Sequence, residues 1–320
     1  MTPKSRVLRF LVVCPALCRG FVGQHCLSRS TSSSLSMAAS AQHKRLTDKV
    51  FLVTGSTDGI GRHTASRLAE EGATVIVHGR REATVREAVD FVKGHGGGDA
   101  KVEGIVADVS SLRGMNELCD EVLARTDRLD CLINNAGVFD PNFHHSDDGV
   151  EYTFAVNVLA PYVITGRLLG LVAKTPGGGR IVNVASLSAS YSVDFDNLQF
   201  EKGGYSDHAS YSLSKLLDIM FNAELSRRAP DGVTCNSLDP GTVNTKMLRA
   251  GWGMGGTPVG RYGQLANDEF YLSTSDDVVG TTGKYFVGRS VYTPPPPAQD
   301  DAACRRLWEV LEGISGLSYP

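Results

Sequence analysis

From residue 48 onward, short β-branched runs alternate with longer segments whose apolar residues recur at helical spacing, and few folds tolerate that alternation. The runs are KVFLVT (49–54), TVIVHG (74–79), KVEGIVAD (101–108), LDCLINNAG (129–137), RIVNVAS (180–186), GVTCNSLDPG (232–241) and GKYFVG (283–288). The first five are nearly continuous in apolar residues, as strands covered on both faces must be, and the segments between them are long enough for crossover helices. Helices are expected at 59–71, 82–94, 110–126, 148–174, 209–229, 262–273 and 300–314, with GHGGGD at 94–99 as a turn. The pattern predicts an α/β fold built on a doubly wound parallel sheet of about seven strands. No internal linker divides it, so residues 48–293 are expected to form a single domain. Residues 294–320 are expected to add a stiff proline spacer (294–297) and a last helix.

Residues 1–47 differ in kind. They contain no Asp or Glu and carry Lys4, Arg6, Arg9, Arg19, Arg29, Lys44 and Arg45 among many serines, the composition of an organelle transit peptide. A targeting or disordered leader is expected, addressed to a mitochondrion or plastid. The apolar stretch Phe10 to Cys18 leaves a secretory route open, and Met37, as an alternative start, a cytoplasmic one. That stretch is nine residues long against the about 20 needed to cross a bilayer, and no longer run stands out elsewhere.

Charge and cysteine usage exclude several function classes. With 32 basic against 35 acidic residues and a net charge of −3, nothing favours a nucleic-acid partner. Cys119, Cys131, Cys235 and Cys304 are dispersed through the body with no Cys-x-x-Cys, so buried thiols rather than a metal or disulfide framework are expected. The pair His144-His145 beside Asp147-Asp148 reads as a polar loop; no metal site is assigned.

The first strand runs into Gly55-Ser56-Thr57-Asp58-Gly59-Ile60-Gly61, which opens a helix. Glycines there let the backbone approach a pyrophosphate while the helix N-terminus offers N–H groups to its charge. This loop resembles that of the short-chain dehydrogenase/reductase family. The resemblance is carried further by Asn134-Asn135-Ala136-Gly137 after the fourth strand, Ser186 after the fifth and Tyr211-Ser-Leu-Ser-Lys215 on a helix, over about residues 48–290. It implies a Rossmann-type sheet whose glycine loop (Gly55, Ser56, Thr57, Gly59, Ile60, Gly61) holds a nicotinamide dinucleotide. Asp108 and Val109 would then touch the adenine, and Asn135, Ala136 and Gly137 would support the sheet beside the cofactor.

Cofactor choice turns on the end of the second strand, where an NAD enzyme places Asp or Glu on the ribose 2′-hydroxyl. Here Gly79 fills that position and Arg80 and Arg81 follow, guanidiniums suited to a 2′-phosphate. NADP(H) is expected over NAD(H), although Asp58 stands where many NADP-using relatives carry a basic residue.

Tyr211 and Lys215 are four apart in a segment of helical spacing, so both emerge on one face. A nearby ammonium favours the phenolate and is expected to draw the phenol towards working pH. The family resemblance implies that Tyr211 exchanges a proton with the substrate oxygen, that Lys215 also holds the nicotinamide ribose, that Ser186 stabilises charge on that oxygen, and that Asn157 organises a proton path. It also places Pro240, Gly241, Thr242 and Thr245 against the cofactor. Ser188 and Ser190 compete with Ser186 by position alone.

Tyr211 follows Ser186 by 25 positions, so the text YSVDFDNLQFEKGGYSDHASY contains an insertion. Together with TGKYFV near the end, it is similar to the retinol-dehydrogenase-like branch of the family. Tyr205 within it reads as a loop anchor. The stretch from Met247 to about Arg261, with Leu248, Trp252 and Met254, has the makeup of a mobile apolar flap and suggests a lipophilic carbonyl or alcohol substrate. The branch resemblance implies either a monomer or a homo-oligomer, and allows peripheral membrane association. The rival reading is a non-catalytic dinucleotide-binding redox sensor or scaffold on the same fold.

Overall fold

The computed structural model describes residues 44–253, 257–258 and 267–319. The leader up to residue 43, Met254, Arg261 and the first part of the helix expected at 262–273 lie outside the described residues, as does the Trp252 side chain.

Each expected strand forms: β1 (Val50–Val53), β2 (Thr74–Gly79), β3 (Val102–Val106), β4 (Cys131–Asn134), β5 (Arg180–Val184) and β6 (Thr234–Asp239). After β6 come two short strands that pair with each other, β7 (Val243–Asn244) and β8 (Thr257–Pro258), and then β9 (Tyr285–Val287) and β10 (Ser290–Tyr292). The main sheet has eight strands in the order β10-β9-β6-β5-β4-β1-β2-β3, parallel throughout except for the β9–β10 hairpin. The eighth strand goes beyond the seven runs of the sequence reading, because Ser290–Tyr292 is exposed along its length and has no apolar continuity. Its signal is the two-residue turn Gly288-Arg289, both at positive φ (+55° and +67°), the geometry that closes tight hairpins.

Strand side chains alternate between two cores. Leu52 packs into the layer formed with α3 (Leu112–Arg125), α4 (Tyr152–Ala173), α5 (Asp207–Arg228) and α8 (Asp301–Ser315). Its neighbours Phe51 and Val53 face the layer of α1 (Gly59–Glu70), α2 (Glu82–Gly96) and α7 (Asp268–Thr274). A further short helix, α6 (Lys246–Trp252), follows β7. The sheet is therefore doubly wound, and the strand order reverses between β1 and β4, the crevice where such folds bind ligands.

Helix α4 is long and apolar enough to cross a membrane by length and composition, contrary to the expectation that no run qualifies; yet 83% of its apolar window is buried in this fold, which makes it a core helix. A π turn at Ala155–Leu159 interrupts it and carries Asn157, and such turns recur at functional sites.

The chain packs onto the sheet from Lys44: Leu46 is buried, and the Lys44 ammonium donates to the Gly96 carbonyl at 2.7 Å. At the other end, Pro296–Gln299 forms a 3₁₀ turn rather than extended chain throughout, and α8 buries Trp308 against Tyr162 of α4 and Phe221 of α5, with ring centroids 5.1 and 5.9 Å apart. Tyr319 closes this cluster, its hydroxyl donating to the Tyr162 carbonyl at 3.0 Å. The four body cysteines are buried, and burial pushes the thiols of Cys119 and Cys235 up to about 12.

Candidate active site

At the carboxyl ends of β1, β4, β5 and β6 lies a cavity of about 690 Å³. It is large enough for an extended cofactor. Of the residues expected from sequence to have a catalytic or cofactor-binding role, all but Ser56 and Asn157 line it.

The glycine loop forms one wall because two of its residues need left-handed backbone. Gly55 (φ +63°) approaches so closely that a Cβ would stand 2.7 Å from the Cα of Ala136, and a Cβ on Gly59 (φ +57°) would stand 3.1 Å from the Thr245 methyl. The Asn135 amide nitrogen donates to the carbonyls of Thr54 (2.8 Å) and Gly55 (3.1 Å), and the Thr54 hydroxyl oxygen accepts from the N–H groups of Asn135 and Ala136, each at 3.0 Å. Asn135 thus pins the loop to β4. Deeper in, the Asn134 amide donates to Asn183 at 2.9 Å, and the Asn183 amide donates to Asn222 at 3.1 Å, a buried ladder across β4, β5 and α5. Ser56 turns inward to donate to the Val53 carbonyl, so its role is to fold the loop.

His78 is a participant that sequence reasoning passed over. Fully buried at the end of β2, it accepts from the Gly55 N–H through Nδ1 (3.1 Å) and reaches the Ala107 carbonyl through Nε2 (3.1 Å), which assigns the proton to Nε2. Burial holds its imidazole down to about 4, so the ring is neutral and ties the glycine loop to the ends of β2 and β3.

Beyond it, Gly79 has no room for a carboxylate: a Cβ there would overlap the Thr57 methyl. Arg80 and Arg81 stand exposed at the cavity edge, the Arg80 guanidinium donating to the Tyr152 hydroxyl at 2.8 Å. Asp58 caps α1 and pairs with Lys246 at 2.6 Å. Burial pushes its carboxyl up, but the Lys246 and Gly59 hydrogen bonds and the nearby charges of Lys246 and Arg62 outweigh this and hold it below the ordinary range. Lys246 therefore brings from α6 a cation to the loop position where sequence alone shows an acid. The glycine cradle, the positive end of α1 and these cations fit the phosphates of a dinucleotide.

At the opposite end, Tyr211 is 7% exposed on α5, and the Ser186 hydroxyl hydrogen-bonds its phenol. Ser186, not Ser188 or Ser190, makes that contact: Ser188 uses its N–H to donate to Ser186 Oγ at 3.1 Å, and Ser190 Oγ donates to the Ser192 carbonyl at 2.8 Å. The Lys215 ammonium lies 5.7 Å from the Tyr211 ring centroid and donates to the Val184 carbonyl at 2.8 Å and to Asp218 at 2.9 Å. Asn157 lies behind them, its amide accepting from the Val138 N–H at 2.8 Å and donating to Ser214 Oγ at 2.9 Å. It braces the loop after β4 against α5.

The phenol does not move in the direction that the ammonium alone suggests. Burial pushes it above the ordinary tyrosine value, and the pull of Lys215 and the Ser186 hydrogen bond offset only part of that rise, while Asp218 and Asp239 add to it. Helical spacing reveals the Tyr–Lys pair but not the desolvation around it.

Thr242 and Thr245 line the cavity, but the Thr245 hydroxyl caps α6 by accepting from the Leu248 N–H at 3.1 Å, leaving its methyl towards the glycine loop. Beside Tyr211, Phe139 sits with its ring centroid 5.5 Å away and packs on Gly251 of α6, where a Cβ would meet the ring at 3.1 Å. Met247 and Leu248 line the same end, giving it an apolar side. Tyr205 donates to the Asp140 carbonyl at 2.8 Å and thereby anchors the insertion.

Comparison with known proteins agrees with this geometry. The family model of the short chain dehydrogenases matches residues 49–252. Retinol dehydrogenase 14 of Mus musculus is 35% identical over 294 residues, covering 84% of this chain and 86% of the relative. The chloroplastic short-chain dehydrogenase TIC 32 B of Brassica napus is 31% identical, covering 88% and 92%. Among solved structures, a short chain dehydrogenase from Shigella flexneri complexed with NADP shares the fold with a TM-score of 0.61 at 23% identity, covering 78% of this chain and all of the other. The chain belongs to the short-chain dehydrogenase/reductase family, in its retinol-dehydrogenase-like branch, and is an oxidoreductase of CH–OH groups.

Proposed function

We propose that the protein interconverts a lipophilic ketone or aldehyde and its alcohol with NADP(H) as cofactor. The observation that carries this reading is one continuous cavity with Arg80 and Arg81 at one end and Tyr211, Ser186 and Lys215 at the other. The glycine loop (Gly55, Thr57, Gly59, Ile60, Gly61) would hold the pyrophosphate, with Asp108 and Val109 beside the adenine and Asn135, Ala136, Gly137, Pro240, Gly241, Thr242 and Thr245 completing the walls. When bound, the cofactor supplies or accepts the hydride.

The remaining work falls to the chain's own residues. Tyr211 donates the proton that a carbonyl oxygen takes up on reduction, and recovers it on oxidation. Ser186 donates a hydrogen bond to the same oxygen as its charge develops, a contact worth more in the transition state than in the ground state. Lys215 lends positive charge behind the phenol, and Asn157 holds the helix and loop that set their separation. Phe139, Met247 and Leu248 give the substrate end its preference for apolar molecules, in keeping with the retinol dehydrogenases to which the chain is similar.

The acid-free composition before residue 48, and the chloroplastic relatives, support an organelle address. The functional reading is tested by steady-state turnover of apolar aldehydes and ketones with NADPH and with NADH. NADPH is expected to be preferred, and Arg80→Ala to raise its KM about tenfold or more, as loss of a charge-assisted contact implies, with little change for NADH. Equal use of both cofactors by the wild type, or an equal effect of the substitution on both, would overturn the NADP(H) assignment.

A further inference from the structure

The Lys215 ammonium does not face Tyr211 alone. It sits between the Val184 carbonyl (2.8 Å) and the Asp218 carboxylate (2.9 Å), and both side chains of the ion pair are almost completely enclosed, at 6% and 5% exposure. Asp218 is three residues further along α5, outside the cavity wall, so it stands behind the lysine and away from any ligand. A buried pair of this kind is seldom a net gain in stability over apolar packing, which makes its position behind an active-site lysine informative.

We propose that Asp218 is a positioning residue that aims the Lys215 ammonium and, as its counter-charge, sets how much of the ammonium's field reaches the Tyr211 phenol. This rests on the assignment of Tyr211 and Lys215 made above. A lone ammonium beside a buried phenol acts as a full charge, whereas an ammonium in contact with a carboxylate acts as a dipole whose field falls off faster. The charged or titratable groups facing the phenol are Lys215 and Asp218 on α5, Asp239 at the end of β6 and Tyr285 on β9, with the neutral Ser186 after β5. From α4 the uncharged amide of Asn157 reaches Ser214 on the same helix as the pair. Lys215 is the charged group acting on Asp218; burial pushes the Asp218 carboxyl up to about 6 against the lysine's pull, so it is ionised at neutral pH and still compensates the ammonium there.

The test is Asp218→Asn, which removes the charge and keeps an acceptor for the lysine. Phenolate ultraviolet difference spectra are taken on the wild type against Tyr211→Phe, and on Asp218→Asn against the double variant Asp218→Asn with Tyr211→Phe, so that only Tyr211 is read and no turnover is needed. The acidity constant of Tyr211 is expected to rise about tenfold, a midpoint about one pH unit lower, and the kcat/KM profile for alcohol oxidation to move by the same amount. Asp218→Glu, which restores the charge, should return both towards the wild type. Where Asp218→Asn yields no soluble protein, Asp218→Ser carries the same expectation. An unchanged phenol midpoint in the neutral variant would overturn this inference while leaving the Tyr211 assignment intact. Full activity of Tyr211→Phe would overturn that assignment instead, whatever the spectra show.

Discussion

Replacing His78 by Gln should remove a large part of the protein's sensitivity to acid. The imidazole is fully buried and accepts the Gly55 N–H at Nδ1, an arrangement available only to the neutral ring, and burial lowers its pKa from 6.5 to about 4. The sign follows from linkage. Above pH 6.5 neither the folded nor the unfolded chain carries the proton and the group is silent. As pH falls through 6.5 the unfolded chain takes up a proton that the folded one refuses, and stability is lost until the folded ring also protonates near pH 4. A difference of about 2.5 units at about 1.4 kcal/mol each corresponds to roughly 3 kcal/mol lost across that window. Gln offers an acceptor and a donor at similar separation but does not titrate. Urea denaturation of both proteins between pH 7 and pH 4 isolates the effect, because the carboxylates titrate alike in each and cancel in the difference. The wild type is expected to lose about 3 kcal/mol more than His78→Gln over this range. Parallel stability curves would refute the assignment of His78 as the neutral tie beneath the glycine loop.

Two further substitutions separate the cradle from the core. Gly61→Ala places a Cβ on the Asn135 amide and 2.8 Å from the Gly55 carbonyl, so NADPH affinity measured by calorimetry should fall about tenfold or more even though Ala is ordinarily favoured in a helix by about 1 kcal/mol. Trp308→Ala empties the space between Tyr162, Phe221 and Tyr319 and should cost about 3–5 kcal/mol in chemical denaturation, showing that α8 is integral to the folded body.

The parts of the fold and site legible in the sequence are those written in local spacing. The β-branched runs, the glycine loop and the Tyr211–Lys215 pair each depend on residues a few positions apart, and each is found where expected. What depends on tertiary surroundings was hidden. His78 reads as one polar residue inside an apolar strand, and only the approach of Gly55 and Ala107 turns it into a tie. Lys246 reaches Asp58 across 188 positions of sequence, a pairing that no local pattern encodes. The upward shift of the Tyr211 phenol reflects burial, which pairwise helical reasoning does not contain. Asp218 is the exception, since a carboxylate three residues after the lysine is a visible helix-face signal. The edge strand β10 also left a local mark in Gly288-Arg289, and the apolarity of α4 is explained by its burial between sheet, α5 and α8.

The most direct test of the central claim compares Tyr211→Phe with the wild type in two measurements on the same preparation, NADPH binding and carbonyl reduction. In the proposed mechanism the phenol moves the proton, so binding should stay within about twofold while turnover falls by about 10²–10⁴. Turnover near the wild-type rate, or a parallel loss of binding and turnover, would contradict the account.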